Sequence, residues 1–361
     1  MTISRELAEF ATGYGAGSFA VGRNRLINSD MRIDQRNAGA SATAGAATYT
    51  LDRWIAYDSS DAVFTVQQDS SAPAGFVNSA KITITTADAS IAASQYNYFA
   101  QRIEGFNVAD LNWGSANAKT VTLSFWVRSS VTGTFGGALV NSAYNRSYPF
   151  TYAISVADTW EQKSVTISGD TSGTWLTTNG IGIQVLFDLG TGTNNTGTAG
   201  AWVGAGNIGA DSTIQLANTL NATWYITGVQ LEEGTVATPF ERRSYGQELA
   251  LCQRYYYRLK AGSSYANAGV GRAYSTTNGQ AIVAMPVSMR AAPTSTGYSA
   301  LTDWNAAQAS GNITAMSPAS HYSLDYRQIS IDITATMNTG QTVILNANNT
   351  TNAWIEWSAE L

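Results

Sequence analysis

The chain has 361 residues, with 20 basic and 25 acidic side chains and one His, for a formal charge of −5. Charged residues make up only 12% and Gly contributes 33 residues, a composition of β-proteins rich in uncharged loops. The chain has no Lys/Arg run, so the electrostatic footprint of nucleic-acid binding is missing; the lone Cys252 and His321 rule out a disulfide framework and multi-histidine metal centres.

The first residues, Met1 to Glu6, do not read as a signal peptide, and no run of about 18 apolar residues could span a membrane. Cytosolic synthesis without membrane insertion is the expectation. Ile3, Leu7, Phe10 and Tyr14 recur at coiled-coil spacing, predicting a short helix within residues 1–23 that ends in the Gly-rich stretch Gly13 to Gly17. Such a helix is too short to stand alone in water, so it either frays or docks on copies of itself or on a larger assembly.

From Asn24 to Phe240 the pattern is period-2 alternation bounded by turn residues, which predicts half-buried strands. In Thr120 to Arg128, residues Val121, Leu123, Phe125 and Val127 point one way and Thr122, Ser124, Trp126 and Arg128 the other. Shorter runs of this kind lie at 81–85, 163–167, 181–187 and 224–232, and the long uncharged loop from Leu189 to Asp211 separates the last two. Strands with long decorated loops over some 200 residues point to a sandwich or jelly roll.

Ser244 and Gln247 have capping-box spacing, and Leu249, Cys252, Tyr256 and Leu259 form an apolar stripe, which predicts a helix over 244–259. Cys252 reads as a packed hydrophobe, and the triplet Tyr255 to Tyr257 needs cover from a neighbouring domain or subunit. Beyond Gly262 alternation resumes at 281–285, 328–334, 342–345 and 353–357, predicting a small β-sandwich. Pro286 and Pro293 confine the second half of its first strand to an edge or a bulge.

Two stretches resemble bacteriophage virion proteins of the tail-fibre and appendage type. One is Asn24-Arg25-Leu26-Ile27-Asn28-Ser29-Asp30-Met31-Arg32-Ile33-Asp34-Gln35-Arg36 with Tyr49-Thr50-Leu51-Asp52-Arg53-Trp54. The other is the run from Gly228 to Glu241, which continues into Cys252-Gln253-Arg254-Tyr255-Tyr256-Tyr257. They frame residues 24–241 as similar to a carbohydrate-binding-module-like jelly roll. The Pro286 to Pro293 segment and the terminal Ser358-Ala359-Glu360-Leu361 resemble the companion C-terminal β domain. The organisation this implies is mainly β: an attachment helix and linker (1–23), the jelly roll (24–241), a helical connector (242–260) and a C-terminal β domain (261–361).

In that frame Trp54 closes one end of the sandwich and Arg53 pairs with a rim carboxylate. Glu232 and Glu233 end the last strand close to the Asn28/Asp30 segment. Modules of this kind commonly hold a structural calcium there. The ligand set is not legible in this chain, so salt bridges to Arg25, Arg32 or Arg36 are the better reading and no cofactor is expected.

Sugar recognition needs flat rings for pyranose faces and amides for hydroxyls. The candidates are Tyr96 and Tyr98, the Tyr144, Asn145 and Tyr148 cluster, and the loop residues Trp175 and Trp202. For each, packing in the core or between subunits is the competing reading. Nothing in the spacing of the acids singles out a hydrolytic pair, and His321 is expected in a loop, Pro318 to Ser323, without a nucleophile elbow. The Gly190 and Gly204 clusters lack the Lys-Ser/Thr of a phosphate loop. The resulting expectation is a non-enzymatic, homotrimeric virion subunit, joined to other virion proteins through its N-terminus and adhering to host surface polysaccharide. The rival readings are a head- or neck-located decoration protein, a polysaccharide depolymerase, and a free secreted carbohydrate-binding protein.

Overall fold

A computed structural model describes residues 22–307, 312–323 and 325–361, so the helix expected within residues 1–23 falls almost wholly outside the described residues. The chain divides into two compact units, the first running to Ser244 and the second Tyr245–Glu360. The larger sheets of both are antiparallel, and the fold is mainly β as the alternation predicts.

The first unit is a sandwich of two six-stranded sheets. In spatial order one sheet holds Ala42–Thr43, Val63–Asp69, Ser79–Thr86, Thr223–Glu233, Val121–Ser129 and Glu161–Ile167. The other holds Thr48–Leu51, Trp54–Asp58, Tyr96–Glu104, Ile181–Thr191, Gly133–Val140 and Ser147–Ile154. Successive strands repeatedly change sheet, the jelly-roll pattern. Val121, Leu123, Phe125 and Val127 all enter the core, as their alternation requires. Phe125 meets Phe187 of the opposite sheet edge-on at 5.1 Å, and Trp54 stacks on Phe99 at 5.0 Å. Trp54 thus lies wholly within the core, with its indole N–H on the Asn28 carbonyl. Arg53 is buried as well, and not at the rim: it donates to the Arg102 carbonyl.

The opening segment does run along the last strand. Arg25 N donates to the Leu231 carbonyl and Val229 N to the Ser29 carbonyl, both at 3.0 Å. Of the acids there, Asp30 pairs with Arg32 as expected, whereas Glu232 takes Arg23 and Glu233 takes Lys119. Among the described residues no group of three or more metal-ligating side chains is present.

Asp52 sits fully buried beside this segment, accepting from Gln35 at 2.6 Å, with Arg36 at 3.8 Å. Burial pushes its carboxyl from 3.8 up to about 7, against the opposing pull of Arg36. The folded state therefore keeps a proton that the unfolded chain has already released. The associated stability is full below the unfolded value and is lost as pH rises through about 7. Asp52→Asn, which carries no charge at any pH, is expected to shrink the fall in melting temperature between about pH 5 and about pH 8. Melts of both proteins at the two pH values check this, and an undiminished fall in the variant would contradict it.

The second unit stacks a three-stranded sheet, Tyr256–Lys260, Trp354–Ser358 and Ser295–Tyr298, on a six-stranded one. The latter runs in the order Trp304–Ala307, Thr342–Ala347, Asn267–Ala273, Asn278–Ala284, Gln328–Thr334, Ala315–Tyr322. Their shared core includes Trp304, Trp357, Ile331, Ile333 and Leu345.

Three expectations are corrected here. The helix covers only Tyr245–Gln253; Tyr256 and Leu259 lie on the following strand, because a Tyr-rich run that can pair with Trp354–Ser358 gains more as a pleated strand than as another helical turn. The strand expected at 281–285 is Asn278–Ala284, flanked on both sides, so it is no edge; Pro286 lies beyond its end. His321 belongs to a strand and not a loop, opposite Ser330, with its Nδ1 3.1 Å from the Gln280 amide. Cys252, Tyr255 and Tyr256 are buried, and Tyr257 stacks on Trp357 at 6.0 Å.

Candidate functional site

The outer face of the second sheet carries its own apolar cluster of Ile55, Tyr98, Ala100, Ala138, Val140, Leu186 and Ile208. The strand Ile181–Thr191 is therefore covered on both faces, which is why its sequence is almost continuously apolar. Part of that cover is the segment that contributes Ile208, and part is the hairpin loop Asn141 to Arg146.

The loop's shape is written in one residue. Asn141 accepts from the backbone N–H groups of Asn145 and Arg146 at 3.1 and 3.2 Å, and its own amide donates to Asn145 Oδ1 at 2.7 Å. This holds Tyr144 in the left-handed region (φ 51), uncommon for a bulky residue. The Tyr144 hydroxyl donates to Gln184 Oε1 at 3.0 Å and its ring stays 36% exposed. A Cβ at position 206 would lie 2.3 Å from the Tyr144 carbonyl, so only Gly lets the neighbouring segment close against the loop.

Strand register supplies the other rings. Tyr57 lies directly opposite Tyr98, and Tyr96 is two residues away on the same face. Tyr57 and Tyr98 stack at 5.3 Å, and Tyr96 and Tyr98 at 5.9 Å. Burial and the adjacent Tyr57 push the Tyr96 hydroxyl up to about 12, and burial raises that of Tyr98. Tyr96 and Tyr98 remain neutral hydrogen-bonding groups at ordinary pH.

Tyr96, Tyr98 and Tyr144 line a cleft of about 370 Å³ together with Asn194, Asn195, Asn207, Ala205, Gly206 and Ile208. None of these lining residues is charged. Asp188 sits opposite Tyr98 in the register, fully buried. It accepts from Gly190 N, Thr191 Oγ1 and Thr213 Oγ1. Burial raises its carboxyl to about 6. It pins backbone and does not face a ligand.

The remaining sequence candidates lie elsewhere. Asn145 is exposed but is spent on Asn141. Tyr148 and Trp175 are buried and do not line the tyrosine cleft. They pack edge-on with Trp113 and Trp202: Trp113 to Trp175 at 4.8 Å, Trp175 to Trp202 at 5.4 Å, Tyr148 to Trp202 at 5.3 Å. The half-buried Trp202 donates to the Ser168 carbonyl, and Trp175 to Asp170. Asp170 in turn pairs with Arg146 through two hydrogen bonds. These rings support the base of the loop that presents Tyr144. Sequence reasoning missed Tyr57, Asn194, Asn195 and Asn207; alternation in Trp54 to Asp58 marks the first, but only the folded loop places the amides.

No protein-family model matches the chain, and no curated protein matches it. Solved structures that resemble it include the enzymatically active domain of tailspike protein 4 from bacteriophage CBA120, 12% identical with a TM-score of 0.34 over 58% of this chain and 21% of that one. The family 11 carbohydrate-binding module from Clostridium thermocellum, in complex with a β-1,3-1,4-mixed-linked tetrasaccharide, is 11% identical with a TM-score of 0.30 over 55% of this chain and 98% of that one. The CBM22-1 xylan-binding domain from Paenibacillus barcinonensis is 10% identical with a TM-score of 0.27 over 56% and 99%. The chain spans about a fifth of the length of the tailspike chain.

Proposed function

We propose that the first unit is a non-catalytic glycan-binding module whose ligand lies against Tyr96 and Tyr144, with the buried Tyr98 backing them. The observation that carries this reading is the convergence of Tyr96, Tyr98, Tyr144 and three Asn residues on one uncharged cleft. Rings cover the C–H faces of a pyranose, while amides and tyrosine hydroxyls both donate to and accept from its hydroxyls. With no charged residue in its lining and Asp188 buried beneath it, the cleft suits a neutral sugar better than a uronic acid. A hydrolase needs two opposed carboxyl groups at the bond to be cut, and the residues lining this cleft offer none.

The wider setting rests on the resemblance of the Asn24 to Arg36 and Gly228 to Glu241 segments to phage appendage proteins. In this reading the chain is a homotrimeric virion subunit that attaches to host surface polysaccharide, and several copies per particle turn weak single contacts into firm adhesion.

Affinity electrophoresis in gels containing neutral polysaccharide (mixed-linked β-glucan, xylan, galactan) or polygalacturonate tests the binding claim. Retardation by a neutral polymer, with no new reducing ends after prolonged incubation, is the expected result. Migration unaffected by every neutral polymer would overturn the glycan reading, and fresh reducing ends would overturn its non-catalytic half. Locating the subunit in intact particles by microscopy separates a tail appendage from a head decoration.

A further inference from the structure

The backbone from Thr191 to Asn195 forms a ridge with a cleft on either side. Asn194 and Asn195 face the tyrosine cleft. Thr191, Gly192 and Thr193 face a second cleft of about 330 Å³, whose other walls include Ser90, Ile91, Gln215 and Asn218.

The ridge is firmly seated. Gly192 N donates to the Gln95 carbonyl at 2.8 Å and Asn194 N to the Ala93 carbonyl at 2.9 Å. A Cβ at position 192 would lie 2.0 Å from the Ala92 carbonyl, so the two segments touch backbone to backbone. Thr191 pairs with Tyr96 in the sheet register and its N–H donates to Gln215 Oε1 at 2.6 Å. The same two segments therefore wall both clefts: Ala93 lines one and Tyr96 the other.

The second cleft also lacks charge, and it contains no aromatic ring. Hydroxyls and amides with one aliphatic side chain can hydrogen-bond a polyol but cannot stack on it. Each cleft alone lies near the lower end of the roughly 300–1,000 Å³ of small-molecule sites. We infer that the second cleft is a further subsite for a neutral oligosaccharide, so that one sugar chain anchored on the tyrosines crosses the ridge and continues into it. The inference rests on the glycan reading of the tyrosine cleft. Because the ridge is held by backbone hydrogen bonds, the two subsites are positioned in advance and little ordering accompanies occupation of the second.

Isothermal titration with gluco-, xylo- and galacto-oligosaccharides, from disaccharide to hexasaccharide, provides the test. The hexasaccharide of the recognised series is expected to bind about tenfold or more tighter than its disaccharide. Asn218 and Ser90 are exposed positions, so Asn218→Trp and Ser90→Trp fill the second cleft from outside the core. Both variants are expected to lose the gain with chain length and keep the disaccharide affinity. If the hexasaccharide binds no tighter than the disaccharide, or both variants keep the gain, the second subsite is overturned. The tyrosine cleft then stands provided that Tyr144→Ala still weakens the disaccharide. Absence of binding by every oligosaccharide would remove the glycan reading and this inference together.

Discussion

Replacing Tyr144 with Ala is expected to weaken neutral oligosaccharide binding about thirtyfold or more while the melting temperature changes little. The ring is 36% exposed and adds nothing to the sandwich core. Its position is nonetheless fixed, by the Asn141 turn on one side and the Gln184 hydrogen bond on the other. A preformed aromatic wall of this kind is the type of contact whose truncation costs about 2 kcal/mol of binding. Tyr144→Phe keeps the ring and loses the hydroxyl that meets Gln184 and Tyr98, so its affinity is expected to fall between those of the native and Ala proteins. Titration calorimetry of the three proteins with one oligosaccharide checks the order, and equal affinities would remove Tyr144 from the site.

Trp54→Ala is expected to destabilise the first unit by about 3–5 kcal/mol. The indole is fully buried, stacked 5.0 Å from Phe99 at an interplanar angle of 8°. Its loss leaves a large cavity between the sheets and removes one of the two hydrogen bonds to the Asn28 carbonyl, the other coming from Met31 N. Asn28 matters in its turn: its amide bridges the carbonyls of Ile33 and Asp52, which ties the opening segment to the second sheet. Loss of the indole therefore disturbs packing and this segment together. Urea unfolding followed by tryptophan fluorescence measures the effect, and a loss below about 1 kcal/mol would show that the core collapses around the gap.

Much of the fold can be read from side-chain alternation, because a strand with one face on a core has little choice of register. Thr120 to Arg128 illustrates this: the four residues of its apolar phase all enter the core. The helix boundary was less legible. An apolar stripe at helical spacing continues through Tyr256 and Leu259, and only the partner strand a hundred residues away decides that these residues are extended. The site was legible in its rings and not in its assembly. Tyr96 and Tyr98 announce themselves by alternation, yet Tyr57, Asn194 and Asn207 join them through contacts distant in sequence. The Gly-rich surroundings of Trp175 and Trp202 suggested display. Exposing several indoles is costly, and they bury one another against Trp113 instead, using glycines for close approach.

A structure of the protein with a neutral hexasaccharide of the series it binds tests the central claim most directly. The account predicts one sugar ring against Tyr96 and Tyr144, amides of Asn194 or Asn207 on its hydroxyls, and the chain running over Thr191 to Asn195. A sugar bound on any other surface, with the tyrosine cleft empty, would contradict it.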